Sequence, residues 1–220
     1  MQASELISSS LVTLHPDDDG ERALSLMDEL KVDHLAVVRN SFYLGVLSEK
    51  EILSWSKTNE FINEHLAELN APSITGSQHL FDILQAVELN NLSIIPVLDE
   101  QKHYLGAITD RKLLYTIAKS TGVQSIGGVI VLKMKENDYS MSEIARIIEY
   151  NNTKILSSYI TSTPDVKIME LTLKLNKVDI SDVVKDFERF DYIITASYNQ
   201  ESQENDLIDR YESLIRFLNP

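Results

Sequence analysis

One block of this chain occurs twice, 61 residues apart, and that repetition narrows the available folds more than any other feature. Tyr43-Leu44-Gly45-Val46-Leu47-Ser48-Glu49-Lys50-Glu51-Ile52-Leu53 lies opposite Tyr104-Leu105-Gly106-Ala107-Ile108-Thr109-Asp110-Arg111-Lys112-Leu113-Leu114. Four of the 11 positions are identical and six are conservative replacements. One changes class, Glu51 against Lys112. Upstream the likeness continues with a shift of 60, placing Val12-Thr13-Leu14 opposite Pro72-Ser73-Ile74. A chain that repeats a unit of this size builds the same supersecondary element twice.

Each copy predicts the same order of elements. In the first, Asp18 or Asp19 can cap a helix carrying Ala23, Met27 and Leu30. In the second, Ser77 can cap one carrying Leu80, Ile83, Leu84 and Val87. Both show the i, i+3/i+4, i+7 recurrence of an amphipathic helix after a favourable N-cap. Short apolar strands follow, Leu35-Ala36-Val37-Val38 and Ile94-Ile95-Pro96-Val97-Leu98, then polar turns at Arg39-Asn40-Ser41 and Asp99-Glu100-Gln101-Lys102. A second strand carries the Tyr-Leu-Gly block, and a further helix closes the unit. The pattern is β-α-β-β-α in each of two copies, about residues 10–57 and 71–120. Residues 59–69, with Phe61, Ile62, Leu66 and Leu69, read as a helical connector, and Ala3, Leu6 and Ile7 as a short lead-in helix.

Beyond the duplication the rhythm changes. Gly122 to Gly128 reads as a linker or strand entry. Ile130, Leu132 and Met134 alternate as in a half-buried strand. Ser140 with Glu143 forms a capping box opening a helix with Met141, Ile144, Ile147 and Ile148. Ile155 to Thr161, with β-branched residues at both ends, is strand-like, Pro164-Asp165 marks a turn, and Met169, Leu171, Leu173 and Leu175 alternate with polar residues. Asp179 or Ser181 starts a helix with Ile180, Val183, Val184 and Phe187. Tyr192, Ile194, Ala196 and Tyr198 form a last strand. The order β-α-β-β-α-β is the ferredoxin-like split unit. Leu207, Tyr211, Leu214, Ile215 and Leu218 make an amphipathic C-terminal stripe that must be buried on this domain or on a partner chain. The fold class expected is therefore α+β, with residues 1–122 holding the duplicated pair and 123–220 a second domain.

Composition excludes several classes. The 220 residues carry a net charge of −14, which repels phosphate backbones and anionic lipid, so no nucleic-acid partner and no membrane partner are expected. Cysteine is absent, which rules out disulfides, thiolate metal sites and a cysteine nucleophile. No apolar run approaches the roughly 18–20 residues of a span, and Met1 to Glu5 lacks the basic start of a secretory signal, so a cytoplasmic location is expected. His15, His34, His65, His79 and His103 form no zinc motif, and Asp17-Asp18-Asp19 lacks the spacing of an EF-hand. No metal site is expected.

The duplicated block, the strand with Pro96-Val97 and the Gly-hydrophobic-hydrophobic-Ser/Thr pattern resemble a tandem pair of CBS domains, a Bateman module, over residues 3–120. The resemblance implies that Ser48 and Thr109 contact phosphate. It implies that a carboxylate three residues later holds the ribose hydroxyls. Adenine would lie in an apolar slot lined by Thr13, Ala36 and Val37 in copy one, and by Ile74, Ile95 and Pro96 in copy two. The ribose position holds Glu51 in copy one, one methylene longer than Asp. In copy two it holds Lys112, which donates but cannot accept. Copy one is expected to hold a nucleoside, and copy two to be empty or to prefer a phosphate-rich ligand through Arg111 and Lys112. Ser48-x-x-Glu51 is equally a capping box, Thr109 an N-cap and Asp110 a solvated first-turn acid, so capping alone also accounts for these residues.

Residues 125–200 look like an ACT domain. The loop Glu136-Asn137-Asp138-Tyr139-Ser140 lacks the Asp-x-Pro-Gly common to amino-acid-binding members, and Tyr139 is expected to hinder close backbone approach there. A structural or dimerising role is expected instead. The layout is similar to stand-alone CBS-ACT proteins of the acetoin-utilisation regulator family. It implies a non-enzymatic sensor, forming a homodimer, with AMP, ADP, ATP or S-adenosylmethionine as regulatory ligand. A ligand-free dimeric scaffold or protein-interaction module is the alternative.

Overall fold

The computed structural model describes residues 1–8, 11–162 and 167–199. The turn expected at Pro164-Asp165 and the stripe from Leu207 to Leu218 lie outside them. The chain divides into a compact unit from Met1 to Thr116 and a second beginning at Ile117.

In the first unit, copy one comprises α1 (Gly20–Leu30), β1 (His34–Arg39), β2 (Phe42–Ser48) and α2 (Glu49–Ser54). Copy two comprises β3 (Ile74–Thr75), α3 (Leu80–Asn90), β4 (Ile94–Leu98), β5 (Tyr104–Thr109) and α4 (Asp110–Ser120). Copy two thus shows the full β-α-β-β-α order. In copy one the leading strand contracts to a single parallel bridge, Leu14 to Val37, matching the β3–β4 pair Ile74 to Val97 sixty residues on. Asp19 caps α1 by accepting from the Arg22 N–H at 2.8 Å. The cap of α3 is His79, not Ser77. Its Nδ1 accepts from the Phe81 N–H at 3.3 Å while Asp82 accepts from the His79 N–H at 2.9 Å. The expected connector is two 3₁₀ turns, Ile62–Glu64 and Leu66–Glu68, and the lead-in is a third, Ala3–Glu5.

The two copies interlock through their lead-in segments. The Val46 N–H of copy one donates to the Asn70 carbonyl at 2.8 Å, and the Ser8 N–H donates to the Ala107 carbonyl of copy two at 2.9 Å. The segment leading into each copy therefore pairs with the glycine strand of the other. The cores follow: Val46 packs with Ile74, Ile83, Ile95 and Ile108, whereas its equivalent Ala107 packs with Leu14, Leu35, Leu47 and Ile62. The repeated glycine makes the crossing possible. A Cβ on Gly45 would stand 2.7 Å from the Leu69 Cβ and 2.9 Å from the Asn70 carbonyl oxygen. On Gly106 it would run into Ile7, and φ there is +145°, a conformation L-residues seldom adopt.

In the second unit β6 (Val129–Lys135), α5 (Met141–Tyr150), β7 (Ile155–Ser162), β8 (Ile168–Leu175), α6 (Ser181–Arg189) and β9 (Ile193–Tyr198) give the ferredoxin-like order. The four antiparallel strands lie β7-β8-β6-β9, with β6 and β8 at the centre. Ile130, Leu132 and Met134 face Met169, Leu171, Leu173 and Leu175 on one side of the sheet. Ile144, Ile147, Ile148, Val183 and Phe187 cover them from α5 and α6. Asp179 accepts from the Ser181 N–H at 3.0 Å and so begins α6.

Because Gly45 is overlain by backbone of the other copy, Gly45→Ala should destabilise the first unit by about 1–3 kcal/mol, the usual cost of overpacking. Gly76, where a Cβ would meet only the Ser4 Cβ at 3.6 Å, should accept Ala within about 0.5 kcal/mol. Thermal denaturation of the two variants checks this, and equal losses would contradict it.

Candidate functional site

A cavity of about 550 Å³ opens beside the copy-one block, lined by His34, Val46, Ser48, Lys50, Glu51, Ser54, Asn70, Pro72, Asn90 and Leu92. β2 delivers Val46 and Ser48, and α2 delivers Lys50, Glu51 and Ser54. Asn70 and Pro72 come from the segment leading into copy two, and Asn90 and Leu92 from the end of α3. The wall is thus shared between copies. Tyr43 fixes it by donating its hydroxyl to the Pro72 carbonyl at 2.9 Å. Burial, with a smaller contribution from Tyr104, pushes the Tyr43 phenol well above its ordinary pKa, so that hydroxyl stays a donor. Burial also lifts Tyr104, to about 12.

The polar groups are arranged around Glu51. Its Oε2 accepts from the Ser48 N–H at 2.7 Å and from the Ser48 hydroxyl at 2.6 Å, and the Glu51 N–H donates to Ser48 Oγ at 3.2 Å. This is the reciprocal capping box, fully formed. With six residues, α2 adds little dipole. What the cavity offers a ligand is the carboxylate, the Ser48 hydroxyl, the exposed Lys50 ammonium and apolar surface from Val46, Pro72 and Leu92.

His34 forms part of the wall and also reaches copy two. Its Nδ1 lies 3.1 Å from Ser93 Oγ and accepts from the Ser93 N–H at 3.3 Å. That acceptance requires Nδ1 to be bare, which assigns the proton of the neutral ring to Nε2. Burial holds the His34 pKa below the usual histidine value, outweighing the opposing pull of the Asp33 and Glu51 carboxylates.

The structure brings Ser48 and Glu51 together as expected, but the apolar slot is built differently. Val37, Ile74 and Ile95 are core side chains, exposed by 0%, 3% and 0%. Ala36 and Pro96 are also buried, and Thr13 is half-buried beside the Leu14 bridge. None of these six lines the cavity beside Ser48. For the four on β1 and β4 the reason is that β4 is buried at every position and β1 from Leu35 to Val37. Pro72 and Leu92 supply the apolar wall instead. Only the crossing of the lead-in segments brings them there, and strand periodicity within one copy carries no signal of it. In copy two, Thr109 caps α4 by accepting from the Lys112 N–H at 3.1 Å. Asp110, Arg111 and Lys112 are exposed in its first turn.

His103 sits at a hairpin tip, bonded to Asp99 at 2.8 Å and against the Phe42 ring. In the second unit Tyr139 is partly buried and packs against the core. Ser140 caps α5 from the Glu143 N–H, while the Glu143 carboxylate turns to Tyr192. Burial first, and Glu143 second, raise the Tyr192 pKa. Among the described residues no group of three or more His, Cys, Asp or Glu is placed to hold a metal ion, and no helix is long and apolar enough to cross a membrane.

A family profile described as CBS domain matches residues 3–58 and 66–119. Solved structures resemble the chain over about half its length. One is a CBS domain pair/ACT domain protein from Thermotoga maritima, with 14% identity over 54% of this chain and 98% of that one and a TM-score of 0.48. A second is CBSX2 in complex with AMP, with 17% identity over 54% and 96% and a TM-score of 0.46. A third is a signal-transduction protein with CBS domains from Burkholderia ambifaria, with 17% identity over 54% and 95% and a TM-score of 0.46.

The His34 shift has a sign that can be measured. A folded pKa below the unfolded value of about 6.5 means the unfolded chain binds the proton more readily. The contribution to stability is therefore complete above that value and is lost as pH falls through the folded pKa. Denaturation midpoints should drop between pH 7.5 and 5.5. His34→Asn, whose Oδ1 keeps an acceptor for Ser93 without titrating, should drop less. Parallel curves for the two proteins would contradict the assignment.

Proposed function

Because the chain belongs to the CBS domain family, we propose that its paired repeats act as a non-catalytic sensor whose copy-one cavity takes an adenine nucleotide or a related nucleoside. The observation that supports this most directly is the placement of Ser48 and Glu51, the two motif residues, in one cavity with a cation and an apolar wall. About 550 Å³ falls within the range typical of small-molecule sites. Glu51 supplies carboxylate acceptors for ribose hydroxyls, Lys50 a cation for phosphate, and Pro72, Val46 and Leu92 surfaces for a base. In copy two, Lys112 stands where the acceptor belongs and Arg111 beside it, so that position favours phosphate over ribose. Ligand acts through its differential affinity for two packings of the repeats. The ACT-like unit relays that change or pairs the chains as a homodimer, in the layout of the acetoin-utilisation CBS-ACT regulators.

The closed capping box favours one other reading. Glu51 already has donors in Ser48, so the repeats would serve as a ligand-free scaffold if no ligand can displace them. Calorimetry with AMP, ADP, ATP and S-adenosylmethionine at millimolar concentration separates the two. The sensor predicts one ligand per chain. It also predicts that Glu51→Ala weakens affinity tenfold to a hundredfold, the equivalent of about 1.5–3 kcal/mol for a lost charge-assisted bond. Two equal sites would refute the unlike-site proposal, and heats of dilution alone with all four compounds would leave the scaffold.

A further inference from the structure

Asp33 and Ser93 are equivalent positions of the two copies, and each anchors the helix that follows its own glycine strand. The Glu49 N–H at the start of α2 donates to the Asp33 carbonyl at 2.9 Å, and the Asp110 N–H at the start of α4 donates to the Ser93 carbonyl at 2.9 Å. The two anchors are themselves joined, because the Asp33 N–H donates to Ser93 Oγ at 2.9 Å. The junction is lopsided: Ser93 is a buried side chain, 8% exposed, whereas Asp33 is exposed. Ser93 also holds the His34 ring through its N–H and hydroxyl, and that ring lines the copy-one cavity. A continuous run of hydrogen bonds therefore leads from the cavity through His34 and Ser93 to the first residue of α4.

We propose that His34 couples occupancy of the copy-one cavity to the first turn of α4 in copy two, and that the coupling operates only while its Nδ1 is unprotonated. A bare Nδ1 accepts from the Ser93 N–H. A protonated one sets donor against donor, and the Ser93 hydroxyl must then turn from donating to accepting while it still receives the Asp33 N–H. The charges facing the ring are Asp33 beside it and Glu51 on α2, with Lys50 of α2 lining the same cavity, while α4 meets the junction through the Asp110 N–H. Asn90 and Ser93 add none. The carboxylates favour the imidazolium and burial opposes it. A ligand seated against the ring dries it further and holds it neutral, so by reciprocity acidification weakens ligand binding. What responds in copy two is the turn bearing Thr109, Arg111 and Lys112. The ligand half of this inference rests on the cavity being a nucleotide site, whereas the proton half does not.

Nuclear magnetic resonance on the full chain, with histidine side chains and backbone amides observed together, tests both halves. Without ligand, the Ser93 and Asp110 amides should titrate between pH 8 and 5 with the midpoint of the His34 ring. Those amide titrations should vanish in His34→Asn. Asp110 amides that stay flat while His34 titrates would overturn the proposal. With AMP at pH 7.5, the Lys50, Asn90 and Asp110 amides should all shift. At pH 5.5 the Asp110 shift should fall several-fold in the wild type yet persist in His34→Asn. An Asp110 shift as large at pH 5.5 as at pH 7.5 in the wild type would also overturn it. AMP that moves neither Lys50 nor Asn90 would refute the ligand reading and the coupling with it, with the ligand-free titration still deciding whether His34 and α4 are joined.

Discussion

The first unit depends on a pair of backbone crossings. Each lead-in segment passes over the glycine of the opposite copy and bonds to its next residue, Asn70 to Val46 and Ser8 to Ala107. A Cβ at Gly45 would stand 2.7 Å from the Leu69 Cβ, well inside van der Waals contact, so the segments would have to part and the bonds between them would weaken. Neither copy can then complete its own core, because Val46 belongs to the core of copy two and Ala107 to that of copy one. The duplication is therefore an exchange rather than two beads on a string. The likeness of the blocks follows from the need to fit the same partner segment twice.

That exchange also makes the cavity. Copy one contributes the polar floor of Ser48, Lys50 and Glu51, but Asn70, Pro72, Asn90 and Leu92 arrive from the connector and from copy two. Tyr43, held protonated by burial, ties Pro72 in place through its hydroxyl. A change in how the copies pack must alter the wall of the cavity, and whatever fills the cavity must bear on the packing. The shared wall is what a population-shift mechanism needs, because an occupant would favour one packing of the copies over another.

The elements themselves were legible because their periodicities are local. The alternation of Met169 to Leu175 and the spacing of Ile144, Ile147 and Ile148 each announce one face of one element, and both faces are buried as read. The pairing of Ser48 with Glu51 was equally local, three residues apart. What could not be read was anything set by the crossing. Val37, Ile74 and Ile95 were expected to line slots, yet all three are core side chains, Val37 and Ile95 on the buried stretches of β1 and β4 and Ile74 on β3. Pro72 and Leu92 carry no motif at all. His79 displaced Ser77 as a cap because a ring nitrogen can accept from the second helical N–H as an Asx oxygen does, an option that a list of preferred capping residues omits. His34 belongs to no motif. Its bond to Ser93, 59 residues away, has no sequence signature.

The scaffold is symmetric and the side chains on it are not. Strand pairing sets His34 against Ser48 in copy one and Ile94 against Thr109 in copy two, so the imidazole of the first cavity has an aliphatic counterpart. Glu51 corresponds to Lys112 and Ser54 to Tyr115. Carrying the copy-one lining over to copy two therefore replaces its carboxylate with an ammonium and its imidazole with a hydrocarbon. It keeps one cation, as Arg111 for Lys50. In a chain of net charge −14, two adjacent cations at the start of an eleven-residue helix form a local reversal of sign. Such a reversal persists against the overall field only over distances of about a Debye length, roughly 8 Å in physiological salt. The two positions therefore differ in charge, a carboxylate on one and a pair of cations on the other, while they are joined by the hydrogen bond from the Asp33 N–H to the Ser93 hydroxyl.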